Sequence, residues 1–411
     1  MMYKSRCKYL VATVSVVMLS ACSGGGTTQK DVTVEIVSDA DAVAYETGDG
    51  VWKSDLVAEK SQGGTEKHYR LKHHGRYGVA LYCGSGNEKQ TLLFQLDTAE
   101  SKRIVAFCGT QQGSSPISGT INDTTSIAST ITEYGLAMGR DWQILSSSST
   151  SYSLDVHHGK RDLVVTSLIT QNSLSTPKRF YIERNLDVSG PVAGKTISLK
   201  DNNTHEIKTY DLQVKSGKGY VFLLSKNDTL FRANIDDKWF VPKSGLISKD
   251  VYLFYGDETK QQTACLQIYS ADTVREVNPV IDPAHVAPLK GIQYDKSGKI
   301  SKLHYESSEN RLPHQFYTIK LTKNQTSYTI ILGSKWLGNV SEYDLPDLSE
   351  AEGFANVWDG SDATTVSAEV TLSNISIESM FEAKRHYQPS NYFFPVVAGA
   401  IFQTAFAQIV P

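Results

Sequence analysis

The strongest constraint on this chain is a succession of short strand-forming runs that recurs from about residue 32 onward. Val32-Thr33-Val34-Glu35-Ile36, Asp162-Leu163-Val164-Val165-Thr166, Gly219-Tyr220-Val221-Phe222-Leu223-Leu224 and Tyr328-Thr329-Ile330-Ile331-Leu332 are examples. Such runs are rich in Val, Ile, Thr, Tyr and Phe, and Gly, Asn, Asp or Ser breaks them. Successive side chains on a strand point to opposite faces, so each run offers a face that must be buried. Helical periodicity is scarce. The pattern predicts an all-β protein: antiparallel β-sandwich modules in tandem, then a larger strand-rich C-terminal region. At 411 residues the chain exceeds one ordinary core, and roughly two to four domains are expected.

One internal repeat sharpens the division. Tyr69-Arg70-Leu71-Lys72-His73-His74-Gly75-Arg76 leads into Tyr77-Gly78-Val79-Ala80. Tyr152-Ser153-Leu154-Asp155-Val156-His157-His158-Gly159-Lys160 leads into Arg161-Asp162-Leu163-Val164. Each reads as an alternating strand, a His-His-Gly turn and an apolar strand, that is, one hairpin in each of two modules. The expected modules are 32–115 and 116–190, followed by 191–411 as one or two domains. Pro279-Val280-Ile281-Asp282-Pro283 and Ala287-Pro288 mark a plausible break near 285. Asp295-Lys296-Ser297-Gly298 reads as a hairpin turn. Leu345-Pro346-Asp347-Leu348-Ser349-Glu350 reads as a loop opening a short helix with Ser349 as N-cap. The uncharged stretch Tyr392 to Pro411 reads as buried terminal strand or helix, since Pro395, Gly399 and two Gln argue against a membrane span.

The second copy, with Ile117-Ser118-Gly119-Thr120-Ile121, Tyr152-Ser153-Leu154-Asp155-Val156, Gly159 and Asp162-Leu163-Val164-Val165, resembles the transthyretin-like or carboxypeptidase-regulatory-like sandwich. The resemblance spans about 75 residues; a Ser run at Ser147-Ser148-Ser149 stands where that family usually turns. It implies a fold and a scaffolding or binding role, and carries no catalytic residues. The first copy, from Val43-Ala44-Tyr45-Glu46-Thr47-Gly48-Asp49-Gly50-Val51-Trp52 to Tyr77-Gly78-Val79-Ala80, looks like modules of large uncharacterised bacterial lipoproteins.

The N-terminus reads as an export signal: Lys4, Arg6 and Lys8, then an uncharged run from Tyr9 to Leu19. That run is about half the roughly 20 residues of a spanning helix. Leu19-Ser20-Ala21-Cys22 resembles the lipobox of bacterial lipoproteins, which implies cleavage after residue 21 and a diacylglycerol on the Cys22 sulfur. Two acyl chains give stable attachment where one does not. In Gram-negative members of that family Asp after the Cys resembles an inner-membrane retention signal, so Ser23 points to the outer membrane. Residues 22–31, with Ser23-Gly24-Gly25-Gly26-Thr27-Thr28-Gln29, form a flexible tether.

Cys83, Cys108 and Cys265 remain in a compartment that favours disulfides. Cys83 and Cys108 each close a strand-like run, with Thr91 to Leu96 as a strand between them. An up-down-up path brings both to one end of a module, and predicts a Cys83–Cys108 disulfide. Cys265 is left over and is expected to be buried in a strand.

Recognisable reaction chemistry is scarce. The His-His-Gly sites read as shared turns rather than metal sites, because adjacent strand residues face opposite ways. Asp49, Asp236-Asp237, Asp359 and Asp362 lie in turns without the alternating pattern of a calcium loop. No nucleophile elbow, zinc-protease motif, P-loop or dinucleotide fingerprint is present, and no motif calls for a cofactor or metal. The net charge of −3, without a long basic run, argues against a nucleic-acid partner. Trp52, Trp142, Trp239, Trp336 and Trp358 are spread singly, which suits core residues better than a stacking platform. Two readings follow. One is an outer-membrane-anchored lipoprotein with a non-enzymatic structural or binding role in the envelope, toward a protein or glycan. The other is an envelope or extracellular glycan hydrolase with carboxylates in 191–411. The features lean against an enzyme.

Overall fold

The structure is a computed structural model; it describes residues 30–60, 66–84, 89–108, 113–139, 141–171, 174–225, 229–235, 238–277, 279–305, 312–386 and 397–409. It is almost entirely β. Antiparallel sandwich modules are followed by a larger strand-rich region, as the strand-forming runs predict.

An eleven-stranded sheet runs through the molecule. Its order is Thr229–Ile235, Lys218–Leu224, Val251–Glu258, Thr263–Ser270, Ile401–Ile409, Thr365–Ser373, His314–Lys323, Thr326–Gly333, Lys89–Asp97, Arg76–Cys83 and Ala42–Glu46. Neighbours are antiparallel except at one place. There Lys89–Gln95 lies parallel to Thr326–Leu332 and joins the N-terminal strands to the C-terminal ones. One cross-sheet row reads Ala44, Ala80, Leu93, Ile330, Ile319, Ala368, and all six belong to one core. A small sheet of Gln293–Asp295, Lys299–Ser301 and Glu342–Asp344 contributes Tyr294, Ile300 and Tyr343 to that same core. Where both faces are covered, as in Tyr328-Thr329-Ile330-Ile331-Leu332, the strand becomes a near-continuous apolar run.

At its N-terminal end the other face of the long sheet carries Tyr77, Val79, Leu81, Phe94 and Leu96. A four-stranded sheet of Glu59–Lys60, Lys67–His73, Val32–Ser38 and Arg103–Val105 covers them. Ile377 and Phe381 of the helix Ile377–His386 complete this core, with Phe381 edge-on to Phe94 at 5.6 Å.

The second sandwich pairs a six-stranded sheet with a three-stranded one. The six strands are Asp141–Ser146, Glu133–Met138, Gly159–Gln171, Leu174–Val188, His205–Asp211 and Lys238–Pro242; the three are Ser151–His157, Ser114–Asp123 and Val192–Leu199. Ser151–His157 alternates exposed and buried, because one face meets solvent and the other the core with Ile117, Leu136 and Leu163. Gly119 allows the parallel approach of Val192–Leu199: a Cβ there would stand 1.9 Å from the Lys195 carbonyl oxygen.

Three expectations are corrected. The two His-His-Gly turns do not close hairpins. In both copies the strands on either side belong to opposite sheets: Lys67–His73 to the four-stranded sheet and Arg76–Cys83 to the long one, Ser151–His157 to the three-stranded sheet and Gly159–Gln171 to the six-stranded one. The repeat is real, and it is a corner between layers. Gly75 at φ 92° and Gly159 at φ 118° supply the left-handed backbone each corner needs. The segment 345–357 holds turns rather than a helix: the amides of Ala351, Phe354 and Val357 each donate three residues back, and Gly353 takes φ 86° between them. Nor do the sheets stop at the expected limits. The long sheet and its core combine strands from 32–115 with strands after 191, and Val192–Leu199 and His205–Asp211 extend the second sandwich past 190. Long-range pairing of this kind leaves no mark on local spacing. Near 285 the chain passes between cores: Ile281 belongs to the cluster with Trp239 and Phe254, and Val286 to the core that also holds Ala44 and Leu93. Asp295 pairs with Lys299 across the turn, where Gly298 donates to the Asp295 carbonyl. Ile401–Ile409 is a strand inside the long sheet.

Candidate functional site

Cys22, with the export signal and most of the tether, lies outside the described residues. The strand Val32–Ser38 is held on both sides, by Lys67–His73 and by Arg103–Val105.

Cys83 and Cys108 form a disulfide with Cα atoms 5.3 Å apart. Cys83 ends a strand of the long sheet, whereas Cys108 follows Arg103–Val105 in the facing sheet. The bond is the one expected, and it ties the two layers of the first sandwich together. The Cys108 amide donates to the Asp39 carboxylate, fixing the second half-cystine beside the first strand. Cys265 is buried on Thr263–Ser270, and burial pushes its thiol up to about 12. A thiol so held is protonated at neutral pH and is no nucleophile.

The His-His-Gly residues serve their corners. His73 Nε2 lies 2.8 Å from the Arg76 carbonyl oxygen. His158 Nε2 lies 2.7 Å from the Ser115 hydroxyl, and the Arg161 guanidinium donates to the His157 and His158 carbonyls. Among the described residues no three His, Cys, Asp or Glu side chains converge as a metal-ligand group. The Asp49 carboxylate accepts the Val51 amide and the Asp359 carboxylate the Ser361 amide, as local turns do. Asp236 and Asp237 lie outside the described residues. Trp239 is fully buried; Trp52, Trp336 and Trp358 pack against the core of the long sheet; Trp142 stands 47% exposed on the edge strand Asp141–Ser146.

Three side-chain constellations were not legible in the sequence. The first joins distant segments by charge. Arg184 donates to both Asp250 oxygens at 2.9 and 2.6 Å, to Asp162 at 3.2 Å and to the Gly245 carbonyl at 3.1 Å. A bulge places it: Arg184 and Asn185 stand opposite Asp162 alone, and Asn185 takes φ 57°. Arg103 likewise bridges Glu35 and Glu382. The Glu100 carboxylate accepts the amides of Lys335 and Trp336 at the start of the one-turn helix Ser334–Leu337.

The second is Glu369 on Thr365–Ser373. Burial raises its carboxyl to about 7, although the Thr371 hydroxyl donates to it. That value lies in the range of a general acid. The third surrounds Gly78. Glu46, Gly78 and Gln95 are cross-strand neighbours. A Cβ on Gly78 would lie 2.8 Å from Gln95 Oε1, 2.8 Å from the Trp52 ring and 2.9 Å from Glu46 Cγ. The glycine thus lets Glu46 and Gln95 converge while Trp52 closes over them. Burial raises the Glu46 carboxyl, partly offset by the Gly48 and Gly50 amides. Tyr343, from the small sheet, brings its hydroxyl toward Gln95, and Trp336 packs edge-on against its ring at 5.7 Å.

No family model and no curated protein matches the chain. Among solved structures, the FN1–FN3 domains of chicken CNTN1 align over 80% of this chain and 84% of theirs, at 6% identity and a TM-score of 0.14. A likeness so low carries no argument about fold or function.

Proposed function

We propose that the chain is a lipoprotein anchored through Cys22 in the outer membrane, with a non-enzymatic structural or binding role in the envelope toward a protein or a glycan. The observation that carries this reading is Leu19-Ser20-Ala21-Cys22 behind a charged and then apolar leader, with a Ser/Gly tether running into the first strand. The use of buried charge supports it. Arg184, Asp162 and Asp250 join the second sandwich to the strand-rich region, and Glu100 joins the first sandwich to Ser334–Leu337. Ionisable groups spent as struts suit a body that transmits or presents.

The test of the anchor is membrane fractionation with palmitate labelling. The native chain should carry label and sediment with outer membranes, and Cys22→Ala should lose both. Sedimentation of Cys22→Ala with membranes would sink the proposal. Glu369 favours the glycan-hydrolase reading, since its carboxyl titrates near neutrality. Incubating the purified body with envelope glycan decides between the two. Release of reducing ends that vanishes in Glu369→Gln would replace the non-enzymatic reading with the hydrolase.

A further inference from the structure

The N-terminal segment enters the folded body at one end of the first sandwich. Val32 lies opposite His73, the last residue of Lys67–His73, so the chain arrives beside the first His-His-Gly corner. Register gathers other chain ends there. Gly78 faces Glu46, the last residue of Ala42–Glu46, and Arg76 faces Asp97, the last of Lys89–Asp97. Thr326–Gly333 runs parallel to Lys89–Asp97 and ends in step with it, Leu332 beside Gln95. The loops leaving two of these strands close around Arg76. A Cβ on Gly48 would lie 3.4 Å from the Arg76 carbonyl oxygen, and one on Gly338 2.8 Å from Arg76 Nη2. Each loop also raises an apolar side chain into solvent, Val51 at 56% exposed and Val340 at 50%. Lys72 and Arg76 are exposed on the corner itself. The nearby acids turn to other partners: Asp49 to Lys53 and the Val51 amide, Asp97 to the Ala99 amide, Glu100 to the Lys335 and Trp336 amides.

Apolar side chains beside exposed cations match the boundary of a phospholipid bilayer, where the former bury shallowly and Lys and Arg reach headgroup phosphates. The length of chain ahead of the body selects that occupant. Cys22 stands eight residues before Lys30. A Gly/Ser-rich tether of that length typically spans about 15 Å. A seven-residue strand such as Val32–Ser38 is longer, roughly 20 Å. The corner is therefore the end of the first sandwich that an anchor at Cys22 holds nearest the bilayer. We propose, resting on the Cys22 anchor reading, that this corner is the membrane-facing surface of the protein. Val51 and Val340 contact the bilayer interface, and Arg76 and Lys72 bind headgroup phosphates. The bond between His73 and the Arg76 carbonyl fixes the corner that presents both cations. The opposite end, closed by Cys83 and Cys108, then faces away from the lipid.

Vesicle binding of the full lipidated chain tests the proposal. Val51→Cys, Val340→Cys and Ile144→Cys are each labelled with a nitrobenzoxadiazole dye. Cys83 and Cys108 are bonded and Cys265 is buried, so the introduced thiol takes the dye. The chains are added to preformed phosphatidylethanolamine–phosphatidylglycerol vesicles and quenched with dithionite. Labels at 51 and 340 should be quenched several-fold more slowly than the label at the exposed Ile144 position of the second sandwich. Adding Arg76→Glu and Lys72→Glu should bring the three rates together while the chain still sediments with vesicles. Bound chains whose three labels quench alike without those changes overturn the proposal and leave the anchor standing. Protection untouched by the charge reversals overturns the role given to Arg76 and Lys72. Protection that fades as the chains are diluted over more vesicles marks a contact between copies and also overturns the proposal. Chains that do not bind vesicles overturn the anchor, and this orientation with it.

Discussion

Replacing Arg184 by methionine should cost about 3–5 kcal/mol, because it takes a two-pronged guanidinium from the wholly buried Asp250 and one donor from Asp162. Asp250 is wholly buried and Asp162 nearly so. Backbone amides also reach both carboxylates, that of Ile247 for Asp250 at 2.9 Å and that of Asn185 for Asp162 at 2.9 Å. Backbone amides offset only part of the desolvation of a carboxylate, and methionine restores packing volume but no charge. Arg184→Lys separates charge from geometry. The ammonium keeps the positive charge and loses the planar fork that holds both Asp250 oxygens, so it should recover only part of the loss. The assay is urea denaturation followed by far-ultraviolet circular dichroism, with hydrogen exchange read on Leu174–Val188 and Val251–Glu258. Local opening should concentrate on those two strands. If Arg184→Met unfolds within 0.5 kcal/mol of the native chain, roughly the scatter of an ordinary surface change, the claim that this triad joins the two regions is refuted.

Other outcomes follow from the same structure. Replacing both Cys83 and Cys108 by alanine should remove about 3.5 kcal/mol in the chain-entropy model for their 25-residue separation; non-reducing peptide mapping of the native chain should recover the linked pair. Cys265 should resist alkylation at pH 8 in the folded protein and react fully in urea, and rapid native labelling would contradict its raised thiol. Gly119→Val should cost more than about 2 kcal/mol, since even a Cβ meets the Lys195 carbonyl; unchanged stability would disprove that close approach. For Glu369 the folded carboxyl is raised to about 7 from 4.5, so the folded state holds the proton more tightly than the unfolded one. Its contribution is then fully present below about pH 4.5 and is lost progressively up to about pH 7, a change on the order of 3 kcal/mol. Glu369→Gln should flatten that slope in urea midpoints measured from pH 4 to 8, and an unaltered slope would contradict the burial of this group.

The legible part of the protein was the part that local chemistry writes. Strand-forming runs, the Asp295–Gly298 turn and the Cys83–Cys108 pair could each be read from residue type and spacing. The His-His-Gly repeat was legible as a repeat but misread as a hairpin. A glycine with positive φ serves a hairpin turn and a corner between sheets alike, and only the pairing partners distinguish them. Where the Ser349 helix was expected the chain closes successive i→i−3 turns, with Gly353 in the left-handed region between them. The Arg184 triad was invisible because its members, at 162, 184 and 250, meet only through a bulge and a strand end.

By itself the sequence determined the class of structure, since short β-branched and aromatic runs punctuated by turn residues bury their apolar faces in sheets. It also determined where the chain's lipobox-like anchor motif stands. Only the tertiary structure decided which strands become neighbours. The ladder between Lys89–Gln95 and Thr326–Leu332 spans more than half the chain. Any apolar strand could have accepted that backbone, and the choice was made by which faces could be covered at once. The same packing turned Gly78 from a strand interruption into the seat around which Glu46, Gln95 and Trp52 converge.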